Sequence, residues 1–455
     1  MPYFSGRFQY LEETGAAAQS GSCRVTIEQE KLLLIPEKGP QLALDLGDID
    51  AFSPADYQLS LKVYTGKTIL LSQFGKTFQN LCHDLLEAYR SRLVQCLLLE
   101  DLEEIARFDG SAQLDSAEPT FSSRAELRLY KSNLAVLPEA ATGFQWRLAD
   151  IDAVDFDEPT YTLGLRSGGD RLILTKLAKR THEFIERLQS AMDDLSKNSA
   201  GILHSLFPFL PPDQFRQVAD LMKEGRAVEI SKLRATHSKV ERVLLEKTVD
   251  AHLKPYFDLL KKQAVDECFF AGFKLIRPET EDGDADIEPA ESPQGSTEES
   301  ETTAAAPEPE VEESESEQEP VLHWFFFPLR AAPEAKAPAD LVAWESTSRS
   351  GRATYFFRIL LQDQAGQLLD PTRAPAALES AIQRLNRALI LLNFKREPIY
   401  LSDESFETQP RYRRYAIACR KIPVLRQLRT SFLGRALHTS PEAWQKQVQS
   451  ILARV

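Results

Sequence analysis

A tandem duplication constrains this chain more than any other feature. Leu32-Leu-Leu-Ile-Pro-Glu37 recurs as Leu134-Ala-Val-Leu-Pro-Glu139, and Asp48-Ile49-Asp50-Ala51 recurs as Asp150-Ile151-Asp152-Ala153, all at one offset of 102 residues. Downstream, Tyr57-Gln58-Leu59-Ser60-Leu61 matches Tyr161-Thr162-Leu163-Gly164-Leu165. Phe74, Leu81, Leu85 and Tyr89 then match Leu177, Phe184, Leu188 and Met192 at an offset of 103. A unit of about 70 residues is too long for a solenoid repeat and suits a small domain copied in tandem.

Within each copy the hydrophobic period changes in order. Leu59, Leu61 and Val63 alternate with Gln58, Ser60 and Lys62, and Ala125, Leu127 and Leu129 alternate with Arg124, Glu126, Arg128 and Tyr130. Period two predicts strands with one face buried. Turn residues at Lys38-Gly39-Pro40, Thr65-Gly66-Lys67 and Ser167-Gly168-Gly169-Asp170 separate these runs, as tight antiparallel hairpins require. Each copy then ends in apolar residues spaced by three, four and seven: Phe74, Phe78, Leu81, Leu85 and Tyr89, then Leu177, Phe184, Ile185, Leu188 and Met192. That spacing predicts an amphipathic helix laid on a sheet.

Several short antiparallel strands followed by one closing helix resemble the pleckstrin-homology-like superfold, including its GRAM-type and bacterial variants, over residues 1–200 in two copies. The resemblance departs from the eukaryotic domain in two ways. The closing helices lack its tryptophan, and the first hairpin turns, Glu30-Lys31 and Lys131-Ser132, lack the basic cluster that holds inositol phosphates. Both copies are also slightly acidic, the wrong sign for anionic headgroups. The resemblance therefore implies protein recognition and disfavours phosphoinositide binding.

Downstream, Pro211-Pro212-Asp213 is a helix start signal and Gly225 a stop, and a second amphipathic run extends from Val228 to Leu260. Residues 200–278 are expected to be a helical connector packed on the second copy. The chain carries 54 Lys and Arg against 68 Asp and Glu, a net charge of −14, but residues 279–320 alone hold 17 acidic side chains and no basic one. This Glu/Ser/Thr/Ala/Pro stretch without aromatics predicts a disordered acidic linker, spacing the front of the chain from the back by roughly 35–40 Å. Beyond it, Val321–Leu329 and Ala353–Leu361 predict buried strands, and Leu378, Ile382, Leu385, Leu389 and Leu392 predict a helix ending at Asn393. His323 and Trp324 fall inside a strand, as core or edge residues.

The expected fold class is thus α+β. Two tandem antiparallel β-domains, each closed by a helix, occupy 1–100 and 101–199, followed by the connector over 200–278, the linker over 279–320 and a small α+β domain over 321–455.

Two features bear on function. The duplicated Asp-Ile-Asp-Ala, reinforced by Asp155, Asp157 and Glu158, admits a metal or ligand site, but strand alternation with isoleucine inward and aspartates facing water explains it without one. The second is the cationic stretch Arg411, Arg413, Arg414, Arg420, Lys421, Arg426, Arg429 and Arg435, interleaved with Tyr412 and Tyr415. Such residues can contact phosphates and stack on bases, so nucleic-acid or polyanion binding is the alternative function. The simpler reading is helices with buried stripes of Tyr415, Ile417, Val424, Leu425, Leu428, Phe432 and Leu433 and arginine-rich outer faces. A third is internal, with the acidic linker lying on this segment.

Signals for catalysis do not accumulate. Gly66-Lys67-Thr68 and Gly75-Lys76-Thr77 lack the earlier glycine of a phosphate loop, Leu61 and Leu70 standing in its place, and GxGxxG, HExxH and GxSxG are absent. Seven histidines lack metal-ligand spacing, and five widely spaced cysteines form no CxxC pair. No catalytic residue, cofactor or metal is expected, nor a membrane span, the apolar runs being short. The leading expectation is a non-enzymatic cytoplasmic scaffold with protein partners.

Overall fold

The computed structural model describes residues 3–115, 121–139, 141–167, 169–275, 321–330, 339–347, 352–359 and 374–453. The first copy contains β1 (Phe4–Leu11), β2 (Ala17–Glu28), β3 (Lys31–Pro36), β4 (Leu42–Asp45), β5 (Ile49–Ala55), β6 (Gln58–Val63) and β7 (Thr68–Ser72). They pair antiparallel in the order β4-β3-β2-β1-β7-β6-β5, and α1 (Phe78–Cys96) follows. The second copy contains β8 (Glu104–Asp115), β9 (Phe121–Tyr130), β10 (Asn133–Pro138), β11 (Phe144–Arg147), β12 (Ala153–Asp157), β13 (Thr162–Ser167) and β14 (Asp170–Thr175). Its order, β11-β10-β9-β8-β14-β13-β12, is the same, and α2 (Thr181–Leu206) follows.

The periodicities translate directly. Leu59, Leu61 and Val63 are buried while Lys62 is exposed, and Phe78, Leu81, Leu85 and Tyr89 bury the inner stripe of α1. Gly66, at φ 81°, supplies the left-handed turn between β6 and β7. Alternation fails in one place. Glu126, Arg128 and Tyr130 on β9, and every residue of β10, are buried together with their inward neighbours. This sheet is covered on both faces.

The third unit departs from the expected plan. The chain continues through α3 (Pro212–Leu221), β15 (Val228–Glu229), α4 (Ile230–Thr236), α5 (Val240–Thr248), α6 (Lys254–Gln263) and β16 (Phe270–Leu275). Then come β17 (Val321–Leu329), β18 (Leu341–Ser346), β19 (Ala353–Arg358), α7 (Ala374–Leu391), α8 (Glu397–Tyr400) and α9 (Asp403–Thr408). The end of the chain forms α10 (Arg413–Lys421), α11 (Pro423–Ser431), β20 (Phe432–Leu437) and α12 (Pro441–Leu452). The six strands pair antiparallel as β15-β16-β17-β18-β19-β20.

This sheet lies between two helical layers. Phe269, Ala271, Phe273, Phe325 and Phe327 pack toward the α3–α6 side with Trp444 of α12, whereas Phe270, Phe326, Trp344 and Tyr355 pack toward α7, α10 and α11. Burial on both faces explains why β17 reads as an apolar run interrupted at His323. Gly272 lies opposite Trp324, whose indole leaves no room for a Cβ there, the nearest ring atoms being 2.5 Å away.

Residues 200–275 are therefore not a separate connector, since they supply helices and two strands to the sheet that holds β17–β20. The acidic segment 279–320 lies outside the described residues. Its flanks do not, and Leu275 pairs with Val321 across adjacent strands. The segment joins neighbouring strands whose facing Cα atoms are about 5 Å apart, so it is an insertion in a hairpin and not a spacer between domains. Phe432 and Leu433 correct a second expectation: they begin β20 instead of extending a helical stripe. Among the described residues, no helix is long and apolar enough to cross a membrane, and no group of three or more His, Cys, Asp or Glu is placed to hold a metal ion.

Candidate functional site

The two features that stood apart in the sequence meet in space. Asp48 closes the short turn after β4, with Ile49 fully buried beneath it as alternation requires. Its carboxylate does not face water. Arg413 donates to Asp48 Oδ2 at 2.7 Å and Arg420 to Oδ1 at 2.6 Å, both from α10. Lys421 Nζ reaches Ile49 O at 2.9 Å and Asp50 Oδ1 at 3.1 Å, and the Arg420 guanidinium lies 4.3 Å from the Tyr64 ring centroid.

Burial raises the Asp48 carboxyl above its ordinary value, while the two guanidiniums oppose that shift. Two guanidiniums set against one buried carboxylate fix position more than they add stability. Close approach here is also steric: a Cβ on Gly47 would sit 2.9 Å from Ile417 Cδ1 and 2.7 Å from Cys96 Sγ. The second copy carries Ala149 at this position, and its Asp150 lies 3.2 Å from Arg147 Nη2 and 3.5 Å from Arg387 Nε of α7. In both copies the first aspartate of the tetrapeptide anchors the C-terminal unit.

The remaining cations disperse. Arg414 pairs with Glu100. Arg429 donates to Pro398 O at 2.6 Å, Leu401 O at 2.8 Å and Asp403 Oδ1 at 2.6 Å, and Arg435 lies over the Tyr400 ring. Arg411, stacked on Tyr412, and Arg426, which donates to Arg420 O at 2.6 Å, are the two of the eight that stay exposed. The expected cationic face is thus turned inward for the most part. Among the described residues, the carboxylates that meet it include Asp48, Asp50, Glu100, Asp403 and Glu407.

A second docking surface was not legible in advance. Arg90 leaves α1 and reaches Glu126 of β9 at 3.2 Å, with Glu139 at 3.7 Å from its other terminal nitrogen. Around this pair Leu93, Leu97, Tyr130, Ala135 and Leu137 share one apolar core, and Phe52 N donates to Glu139 O at 2.9 Å. The closing helix of the first copy thereby seats on the outer face of the second sheet. The one local signal was Ala135, small where the first copy has Leu33.

Among the described residues, acid, imidazole and hydroxyl converge at Glu345, His438 and Thr354. His438 Nε2 stands 3.1 Å from Glu345 Oε2 and 3.0 Å from Thr354 Oγ1. The hydroxyl donates to the carboxylate at 2.7 Å and accepts from Trp444 Nε1 at 2.9 Å. Thr354 is fully buried, so this network ties β18, β19 and α12 together and offers no nucleophile to solvent. The thiols are similarly withdrawn: burial pushes Cys96 and Cys268 up to about 12 and Cys23 and Cys419 up to about 11.

A cavity of about 550 Å³ beside α9–α11 is lined by Tyr400, Asp403, Phe406, Cys419, Arg426 and Arg429. Another, of about 320 Å³, lies where the three units meet, between Asn133, Gln145, Ala149, Glu224 and Asn393. The chain matches no protein-family model and no curated protein.

Proposed function

We propose that this protein is a non-enzymatic cytoplasmic scaffold whose two front units are pleckstrin-homology-like domains used to bind other proteins. One observation carries the reading. The outer face of the second sheet already receives an amphipathic helix, α1, through an apolar patch and the Arg90–Glu126 pair. This fold within this chain thus works as a receptor for a polypeptide element. The inward pairing of Arg413, Arg414, Arg420 and Lys421 supports protein partners over polyanions, since those cations have carboxylates already.

The test is affinity capture with the immobilised full-length chain. The third sheet spans residues 228–437, so division near 278 would separate β16 from β17. Saturable retention of defined proteins, indifferent to nuclease and to moderate salt, is expected. Retention that falls steeply with salt and vanishes with nuclease would transfer the function to nucleic acid.

A further inference from the structure

The first sheet carries an open counterpart of the seat that α1 occupies on the second. At the common offset of 102, Arg24, Thr26, Leu33 and Ile35 stand where Glu126, Arg128, Ala135 and Leu137 stand. The cross-strand pairs agree: Arg24 faces Ile35 and Thr26 faces Leu33, as Glu126 faces Leu137 and Arg128 faces Ala135. All four residues of the second copy are buried. In the first, Ile35 is 42% exposed, Arg24 is exposed, and Tyr3, 64% exposed, lies with its ring centroid 5.4 Å from the Arg24 guanidinium. An isoleucine and a tyrosine standing in water beside one cation form an apolar patch with a charged pin.

We propose that this face binds an amphipathic helix of another protein, bearing a carboxylate opposite Arg24; the proposal rests on the scaffold reading above. Charge complementarity on a known geometry identifies the occupant. Where α1 seats, a helix arginine meets a strand glutamate. With arginine at the strand position, the pair requires the opposite sign on the helix. Thr26 in place of Arg128 removes the second strand charge, and Leu33 in place of Ala135 adds apolar area. The seat is therefore more apolar than its counterpart, selective for acidic helices and repellent to basic ones.

The α1 sequence itself supplies the probe. A fluorescent peptide of residues 78–97 carrying Arg90→Glu is titrated with the full-length protein and followed by anisotropy. Saturable binding is expected, weakened about tenfold by Arg24→Glu in the protein, as one close charge pair warrants. The same variant should prefer the peptide with Arg90 retained, reversing the order seen with the parent protein. Ile35→Asp should weaken both peptides. Both positions are exposed, so the variants should melt like the parent.

Absence of saturable binding, or binding indifferent to residues 24 and 35, overturns the proposal. So does self-association of the chain abolished by Ile35→Asp, which makes a second copy the occupant. Partners captured by the full-length chain and still retained by Arg24→Glu and Ile35→Asp would remove the helix assignment and leave the scaffold reading standing. Failure of the parent chain to capture any protein removes the scaffold reading, whatever the peptide does.

Discussion

Gly47→Ala isolates the contact between the first copy and α10. Gly47 is absent from the positive-φ positions, so its backbone accepts alanine, and elsewhere such a change would stabilise by about 0.4–1 kcal/mol through the unfolded chain. Here the new Cβ would lie 2.7 Å from Cys96 Sγ, 2.9 Å from Ile417 Cδ1 and 3.1 Å from Asp45 Oδ1. Cys96 and Ile417 are fully buried and cannot swing into solvent. Overpacking of this kind costs about 1–3 kcal/mol, so a net loss of about 1–2 kcal/mol is expected. Ile417→Val removes the Cδ1 atom across the interface at a cost of about 1 kcal/mol alone. The double variant should then be more stable than the two single losses sum to, by about 1 kcal/mol. Chemical denaturation gives the four free energies. Hydrogen exchange at 413–421 and 46–49 should rise in Gly47→Ala and fall back in the double variant. Ala149→Gly, at the same place in the second copy, should show no coupling to residue 417. Additivity of Gly47→Ala and Ile417→Val within about 0.4 kcal/mol would refute the docking geometry.

Three further outcomes are expected. Replacing residues 277–319 by a six-residue Gly/Asn turn should preserve the fold and add roughly 2 kcal/mol to stability, because Leu275 and Val321 are already paired and the closed loop shortens; unfolding of the third sheet by circular dichroism would contradict this. His323, buried with no partner for its Nε2 among the described residues, is pushed down to about 4 from 6.5. Its neutral form is favoured in the fold, so its contribution is complete above pH 6.5 and lost as pH falls toward 4, amounting to about 3 kcal/mol; His323→Leu should flatten that acid limb of the stability curve, and an unchanged limb would place the loss elsewhere. The elevated and buried Cys23 and Cys96 thiols should react with iodoacetamide at neutral pH only after urea is added, and rapid native labelling would refute their burial.

The duplication, the strands of each copy and the closing helices were legible because each depends on spacing along the chain. Leu59, Leu61 and Val63 are buried by period two, and Leu81, Leu85 and Tyr89 by period three and four, in whatever context the copies fold. The third sheet was only half legible. Val321–Leu329 announces a strand, but Phe270–Leu275 lies 46 residues upstream of it behind a long polar stretch, and Phe432–Leu437 follows directly on a helix. No local period reports pairing over such distances.

The candidate sites show the same division more sharply. Composition alone located the charge of α10, and the repeat alone located Asp48, yet neither said that these charges are partners, because ion pairing depends on distance in space. Glu126 and Arg24 occupy equivalent positions in equivalent strands. One is buried and the other stands in solvent, since α1, which closes the first sheet, also lies on the outer face of the second and covers Glu126 there. Sequence by itself thus determined what each of the two copies is. The tertiary structure decided which faces were used up in assembling the units and which were left for something else, because burial on a second face depends on a neighbour that the residues of that face do not encode.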